Sequence, residues 1–146
     1  MSKLPERLCE FASPGPLRDR LVGAVLQGRK TATSSLLAEW EQDQEPLPAA
    51  GQCQTVIDSD GRAVGIIELV AVEVIRLGDA DERLAFEEGE GFADIGEWRH
   101  AHEGFWAEEV LPTLPAGLTG PLTDETLVVV ERFRLVAEVS GAGDAR

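Results

Sequence analysis

The sequence predicts an α+β fold, with helices early and in the middle of the chain and strands between and after them. Two observations support this prediction. Residues 63–77 and 127–139 are long apolar runs rich in β-branched residues, which are typical of strands. Residues 17–25 and 95–106 instead repeat apolar side chains at helical spacing. At 146 residues and 15.7 kDa, we expect one domain over residues 1–146.

Residues 1–15 predict an irregular lead-in, because they carry Pro5, Pro14 and Gly15. A first helix should begin at Pro16, since proline suits the first turn of a helix. It should end at Gly28, because glycine readily adopts the left-handed conformation that closes a helix.

Residues 34–44 predict a second helix, with Thr33 or Ser34 as the N-cap. Both residues carry a hydroxyl oxygen that can accept a hydrogen bond from the first turn. Pro46 and Pro48 would stop this helix.

The strand pattern starts at residues 52–58 and leads into a hairpin turn at Ser59-Asp60-Gly61. The run 63–77 is apolar on both faces, which indicates a strand covered on both sides, as in a small closed barrel. The run 127–139 predicts the last strand.

Two further helices should lie between these strands. Asp79-Ala80-Asp81-Glu82 predicts a capping box that opens a short helix ended by Gly89. Asp94-Ile95-Gly96-Glu97 predicts another, which opens a longer helix to about Leu111. Residues 140–146 are expected to form a disordered tail.

The charge of the chain bears on its partners. It has 13 Lys and Arg against 27 Asp and Glu, a net charge of -14 and a pI of about 4.4. Long nucleic acids are held mostly by basic side chains that neutralise phosphates, so this composition disfavours a general RNA-binding protein. A neutral nucleoside would not be repelled. Arg29 and Lys30 form the one basic pair near the predicted site.

Cys9 and Cys53 cannot build a disulfide framework, and no metal-ligand spacing surrounds them. We therefore expect a cytoplasmic protein with reduced thiols, no metal and no cofactor. No apolar run approaches the ~20 residues that span a bilayer, and no signal peptide is evident, so we expect no membrane association.

The segment Gly28-Arg29-Lys30-Thr31-Ala32-Thr33 carries the strongest chemical signal. If the chain turns tightly after Gly28, the Lys30 amine and the Thr33 hydroxyl lie on one side of the turn. An amine beside a hydroxyl can perform base-activated nucleophilic attack, provided that the amine can lose its proton. Ser34 and Ser35 are alternative hydroxyls, and a solvated loop is the simpler interpretation.

Residues 28–35, followed by Leu36-Leu37, resemble the GxKxxT signature of the ASCH domain family, a PUA-like family linked to RNA and modified nucleosides. The block 86–91 and then Trp98-Arg99-x-x-His102 resemble the downstream block of one longer, acidic bacterial branch. Glu131-Arg132-Phe133 also fits. Three segments in the right order identify the chain as a member of this family.

The resemblance implies a small PUA-like β-barrel flanked by helices. It also implies a catalytic set of Lys30, Thr33 and Glu88 that deacylates a modified nucleoside such as an N4-acylcytidine. In that scheme Lys30 takes the proton of Thr33, and Glu88 helps the amine to leave. Residues expected to contact the substrate are Arg29, Ser34, Trp98, Arg99 and His102. The chain departs from the shorter deacylating relatives by its Trp98 helix and its Gly- and Pro-rich loop at residues 112–121.

Several alternatives stay open. Glu87 or Glu90 could replace Glu88, and Trp98 could be a core residue. The protein could instead be a binding module for a nucleotide or, weakly, RNA, or a metal-assisted ribonuclease. The sequence leaves the substrate and the oligomeric state undecided.

Overall fold

A computed structural model describes residues 3–118 and 120–139. It contains a five-stranded sheet with helices on both faces, which confirms the predicted α+β class. The strands are β1 (Leu8–Cys9), β2 (Ala32–Leu36), β3 (Cys53–Ile57), β4 (Ala63–Arg76) and β5 (Leu127–Glu138). Their order in the sheet is β1-β3-β4-β5-β2, and only the β1–β3 pair is parallel among the described strands.

The helices are α1 (Pro16–Leu26), α2 (Leu37–Gln42), α3 (Glu82–Glu87) and α4 (Ile95–Phe105). A π-helical segment (Trp106–Val110) continues α4, and single 3₁₀ turns cover Leu77–Asp79 and Leu111–Thr113. The local signals act as predicted: Pro16 starts α1, Gly28 follows it with a φ of 81°, and the Asp94 carboxylate caps α4. The cap of α3 is Asp81, two residues later than the first residue of the predicted box.

The sheet has two free edges, β1 and β2, and is therefore not closed into a complete barrel. The strands curve far enough that residues of both edge strands line one cavity. The expected PUA-like barrel is thus present as a barrel-like sheet that is open along one seam. We call the gap between β1 and β2 the seam.

Each face of the sheet packs on its own core. The α1 face is covered by helix α1 and includes Val56, Leu69 and Phe133. The α4 face is covered by α3, α4 and the π-helical segment, and it includes Leu36 and Val130. Successive residues of one strand point to opposite faces, so the two faces of β2 and β5 lie in different surroundings.

The predicted helix over residues 34–44 is wrong in its first part. Residues 32–36 form β2, which pairs antiparallel with β5, and the helix begins only at Leu37. Thr33 and Ser34 are strand residues and not N-caps. The hydroxyl residues of this segment suit a cap in isolation, but pairing with β5 determines their conformation.

The lead-in is irregular apart from β1, and it is anchored to the sheet. Phe11 is buried in the core of the α1 face, and the Thr55 hydroxyl donates a hydrogen bond to the Pro5 carbonyl. The predicted tail at 140–146 lies outside the described residues. Across the described part of the chain, no helix is both long enough and apolar enough to cross a bilayer.

Candidate functional site

A cavity of about 640 Å³ opens along the seam. Its walls come from β1 and the segment after it, from β2, from the loop after α3, and from α4 with its π-helical continuation. Lys30, Thr33, Ser34, Glu88 and His102, all predicted as site residues, lie on this wall.

Lys30 lies in the short connection between α1 and β2 and is only 2% exposed, so it is not a solvated loop lysine. Its Nζ donates to the Ala32 carbonyl at 2.8 Å, to Glu88 Oε1 at 3.0 Å and, at 3.4 Å, to the Glu88 carbonyl. These three acceptors match the three donors of an ammonium group. Lys30 is therefore held as a cation, an arrangement that does not suit the predicted general base.

Glu88 caps the C-terminal end of α3, as predicted, and is 1% exposed. Besides the ion pair with Lys30, its Oε2 accepts from Ser34 Oγ at 2.5 Å and from Trp98 Nε1 at 3.1 Å. Burial would raise the pKa of Glu88, but the Lys30 charge and the hydrogen bonds outweigh it and lower the pKa to about 2. Glu88 is therefore a buried carboxylate with hydrogen-bond donors on both oxygens.

Gly89 brings these two charged residues together. Its φ of 74° is in the left-handed region, and a Cβ there would lie 2.6 Å from the backbone of Lys30 and of Arg29. The Thr31 amide also donates to the Glu87 carbonyl at 2.8 Å. The end of α3 therefore lies directly on the Lys30 backbone, a close approach that glycine permits.

Trp98 and His102 support Glu88 from α4. Trp98 is fully buried, and its indole ring stacks on the His102 imidazole with ring centroids 4.3 Å apart. His102 Nε2 lies 3.5 Å from Glu88 Oε2; although burial would lower the pKa of His102, the Glu88 carboxylate raises it. Because Trp98 is absent from the cavity wall, the structure does not support its predicted contact with a base.

Thr33 and Ser34 point to opposite faces of β2. Ser34 lies on the α4 face, opposite Val130, and is bonded to Glu88. Thr33 lies on the α1 face, opposite Glu131, and lines the cavity there. Within the hydrogen bonds of residues 3–118 and 120–139, Thr33 makes none with Lys30 or Glu88. The extended strand therefore replaces the tight turn that the sequence predicted.

Glu131 is a wall residue for which the sequence predicted no role. It is the register partner of Thr33 on the same face, and its side chain is partly buried. No ion pair or side-chain hydrogen bond of Glu131 is found within the described residues. Burial raises the pKa of Glu131 above its ordinary value. The Arg7 charge opposes this rise, and the Glu45 charge adds to it. Its place opposite Thr33 depends on strand register, which the motif alone does not give.

Two predicted contact residues lie away from the seam cavity. Arg29 is exposed, and its guanidinium donates to the Gly89 carbonyl at 3.1 Å and to the Gln27 side chain. Arg99 forms surface ion pairs with Glu103 and Asp124, both at 2.6 Å. Their roles are local, and the structure does not bring them to the cavity.

The two glutamates near Glu88 in the chain, Glu87 and Glu90, lie in different places relative to the cavity. Glu87 pairs with Arg83 and Arg132 outside the cavity, whereas Glu90 lies on the cavity wall. Glu88, Glu90 and His102 offer ligand atoms within 4.8 Å of one another, a set that could hold a metal ion. Both Glu88 oxygens already accept hydrogen bonds, so a metal would compete with Lys30, Ser34 and Trp98 for this carboxylate.

The cavity wall is strongly acidic. Eight of its side chains are carboxylic acids and three are Lys or Arg. Lys30 is already paired with Glu88, and Arg7 with Glu45. Such a wall repels phosphate groups and favours a neutral or cationic ligand.

Comparisons with solved structures give the same fold. Protein EF3133 of Enterococcus faecalis V583 is similar with a TM-score of 0.82 and 26% identity, covering 99% of this chain and 85% of that one. The ASCH domain of Lactobacillus crispatus JV V101 has a TM-score of 0.78 and 27% identity, covering 90% and 79%. An ASCH protein of Zymomonas mobilis, with a TM-score of 0.51 and 12% identity over 84% and 70%, shares the fold alone.

A comparison with curated protein sequences found no match. The model of the ASCH domain matches residues 8–137, a range that includes all five strands but the final residue of β5 and every wall residue discussed above except Arg7. This chain therefore belongs to the ASCH domain family.

Proposed function

We propose that this protein is a small amidohydrolase that removes an acyl group from a neutral modified nucleoside, of which an N4-acylcytidine is the type. The observation that carries the proposal is the buried Lys30–Glu88 ion pair on the wall of an open cavity, beside two hydroxyl groups. The desolvation of two buried charges offsets much of their Coulombic attraction, so a buried ion pair is weak evidence for a stabilising role. Such pairs in a cleft are candidates for catalytic groups.

The ligand class follows from the charge of the wall. ASCH domains are associated with RNA or nucleotide binding, and a phosphate-bearing ligand would meet the acidic wall described above. An uncharged nucleoside avoids that repulsion, and the aromatic wall residues Phe11, Phe92 and Phe105 offer apolar contacts for a base.

The residues divide into reacting and positioning groups. Thr33 is the proposed nucleophile, because its hydroxyl faces the cavity and is not bonded to a carboxylate of low pKa. Ser34 is one competing hydroxyl, but Glu88, with a pKa of about 2, is a poor base for it. Lys30 and Glu88 are positioning groups: their ion pair joins the start of β2 to the end of α3 on the cavity wall.

The test is hydrolysis of N4-acetylcytidine, followed by chromatography of cytidine. Wild type should turn over, and Thr33→Ala, Lys30→Ala and Glu88→Gln should each lose about 10² to 10⁴ in kcat/KM. Arg99→Ala, which removes a partly exposed charge outside the cavity, is the matched control and should keep its activity. Absence of turnover in folded wild type would contradict the proposal.

A metal-assisted ribonuclease is the second candidate, and the Glu88–Glu90–His102 set is the observation that favours it. It predicts RNA cleavage that requires a divalent cation and weakens steeply with salt. Amidohydrolase turnover of a neutral nucleoside should instead be indifferent to salt and to chelator.

A further inference from the structure

We propose that Glu131 is the proton-transferring residue for Thr33, taking the proton of its hydroxyl and delivering it to the leaving nitrogen. This assignment rests on the proposed function and replaces the base role that the sequence predicted for Lys30.

The first argument is register. Thr33 and Glu131 are directly opposed residues of the antiparallel β2–β5 pair and point to the same face. Side chains in that relation have Cβ atoms about 4.5–5.5 Å apart, so a glutamate can reach the neighbouring hydroxyl. Both residues lie on the cavity wall.

The second argument is the absence of competing partners. Lys30 Nζ is saturated by three acceptors, and Glu88 accepts from three donors. In the described part of the chain, the Glu131 carboxyl makes no hydrogen bond or ion pair. No hydrogen bond joins Glu131 to Thr33 among the described residues, and no other partner holds the Glu131 carboxyl away from that hydroxyl.

The third argument is electrostatic. A general base works best when its pKa is near the working pH. Burial raises the pKa of Glu131, whereas that of Glu88 is lowered to about 2. The charged groups that face Glu131 are Arg7 and Glu45, and these two form an ion pair with each other at 2.5 Å.

Cys9 is another potential nucleophile near Glu131. Burial and the Glu131 charge raise the pKa of the Cys9 thiol to about 12, so the thiol stays protonated and is a poor nucleophile. Thr33 is assigned to Glu131 because the two residues are directly opposed in the strand register.

The proposed steps balance. Thr33 Oγ1 bonds to the acyl carbon while its proton passes to Glu131, the carbon–nitrogen bond breaks, and Glu131 returns the proton to the departing nitrogen. A water molecule then gives a proton to Glu131 as its oxygen attacks the acyl carbon. That proton goes to Thr33 Oγ1, which leaves, and the carboxylic acid is released.

The test uses p-nitrophenyl acetate, an activated ester. It can acylate a hydroxyl that a general base activates, whatever the natural substrate is. We would measure p-nitrophenolate release and locate the acetyl group by peptide mass spectrometry, in parallel with N4-acetylcytidine hydrolysis. Wild type should carry the acetyl group on Thr33, and Glu131→Gln should acylate at least about a hundredfold more slowly. Glu131→Asp should retain part of the rate, and Glu138→Gln, an exposed glutamate of the same strand, should retain all of it.

The pH profile separates proton transfer from a structural role. Wild-type acylation should fall on the acid side as Glu131 is protonated, and Glu131→Gln should lose that acid limb while its thermal unfolding stays cooperative. A Glu131→Gln variant that keeps the wild-type rate and acid limb would overturn the assignment.

The two proposals fail in different ways. Acylation of Thr33 that depends on Glu131, without hydrolysis of N4-acetylcytidine, would refute the proposed substrate and support the assignment. Hydrolysis of N4-acetylcytidine with the acetyl group on Ser34, or undiminished in Glu131→Gln, would support the function and overturn the assignment. If folded wild type shows neither acylation of Thr33 nor hydrolysis of N4-acetylcytidine, both the proposed function and the Glu131 assignment are wrong.

Discussion

Glu88 and Glu131 line the same cavity, and the fold treats them in opposite ways. Glu88 is almost fully buried and receives hydrogen bonds from Lys30, Ser34 and Trp98. Glu131 is less buried and receives none within the described residues. The pKa of Glu88 falls to about 2, whereas that of Glu131 rises.

The difference shows that burial alone does not decide the charge of a carboxyl group. Desolvation raises both pKa values, and only at Glu88 do an adjacent cation and several donors reverse its effect. The α4 side of the seam is therefore a fixed electrostatic structure, while its α1 side keeps a group that can gain and lose a proton.

The largest expected effect comes from removing the cation on the fixed side. Lys30→Met leaves the Glu88 charge buried and uncompensated, which should lower the free energy of unfolding by about 3–5 kcal/mol. The double variant Lys30→Met/Glu88→Gln should recover most of that loss, as measured by urea denaturation. A single variant as stable as wild type would show that the pair is not charged.

Acid should weaken the same pair. The folded-state pKa of Glu88, about 2, lies below the ordinary glutamate value of 4.5, so its stabilisation is present above pH 4.5 and is lost as pH falls toward 2. The loss should be on the order of 3 kcal/mol. The double variant, measured over the same pH range, should lack this part of the acid dependence.

Thr33 and Ser34 allow a sharper comparison between neighbouring residues. Ser34→Ala removes a hydrogen bond to a buried carboxylate and should cost about 1.5–3 kcal/mol of stability. Thr33→Ala should cost less than half of that, yet it should abolish acylation of the protein. Denaturation and mass spectrometry on both variants would separate the structural role of Ser34 from the catalytic role of Thr33. Equal stability losses in the two variants would contradict this division.

Glu131→Gln should act with the opposite sign to Glu88→Gln. A raised folded-state pKa means that the ionised form destabilises the fold at pH values above the ordinary pKa of glutamate. Glutamine should therefore raise stability at pH 7, by about 1 kcal/mol, a gain typical of substitutions that remove a destabilising group from a functional site. The gain should disappear below pH 4 in thermal denaturation, and a loss at pH 7 would contradict it.

The smallest effect is expected at Arg99, which the sequence analysis placed among the substrate contacts. Its ion pairs with Glu103 and Asp124 are at the surface, so Arg99→Ala should change stability by less than about 1 kcal/mol. The KM for the nucleoside should stay unchanged. A large rise in KM would return Arg99 to the binding site.

Features set by local sequence were predictable. Pro16, Gly28 and Asp94 act within one helical turn, and each has the role that its residue type indicated. The α+β class followed from two long apolar runs. Lys30 and Glu88 could be paired only through the family resemblance, because 58 residues separate them in the chain.

Features set by strand pairing were not predictable from one sequence. The segment Ala32–Leu36 is rich in small hydroxyl residues, which are typical of helix caps. Its extended conformation depends on pairing with β5, about a hundred residues later in the chain. The same pairing decides that Thr33 meets Glu131 and that Ser34 meets Val130. A shift of register by one residue would exchange the two hydroxyls between the faces.

Gly89 limits how far sequences with this site can diverge. The Lys30 backbone occupies the space that a side chain at position 89 would need. Any substitution there would therefore push α3 away from β2 and separate Lys30 from Glu88. Surface positions around the seam can vary freely by comparison. In a library of random variants, position 89 should therefore be among the least tolerant in the chain, although it contributes no chemical group of its own.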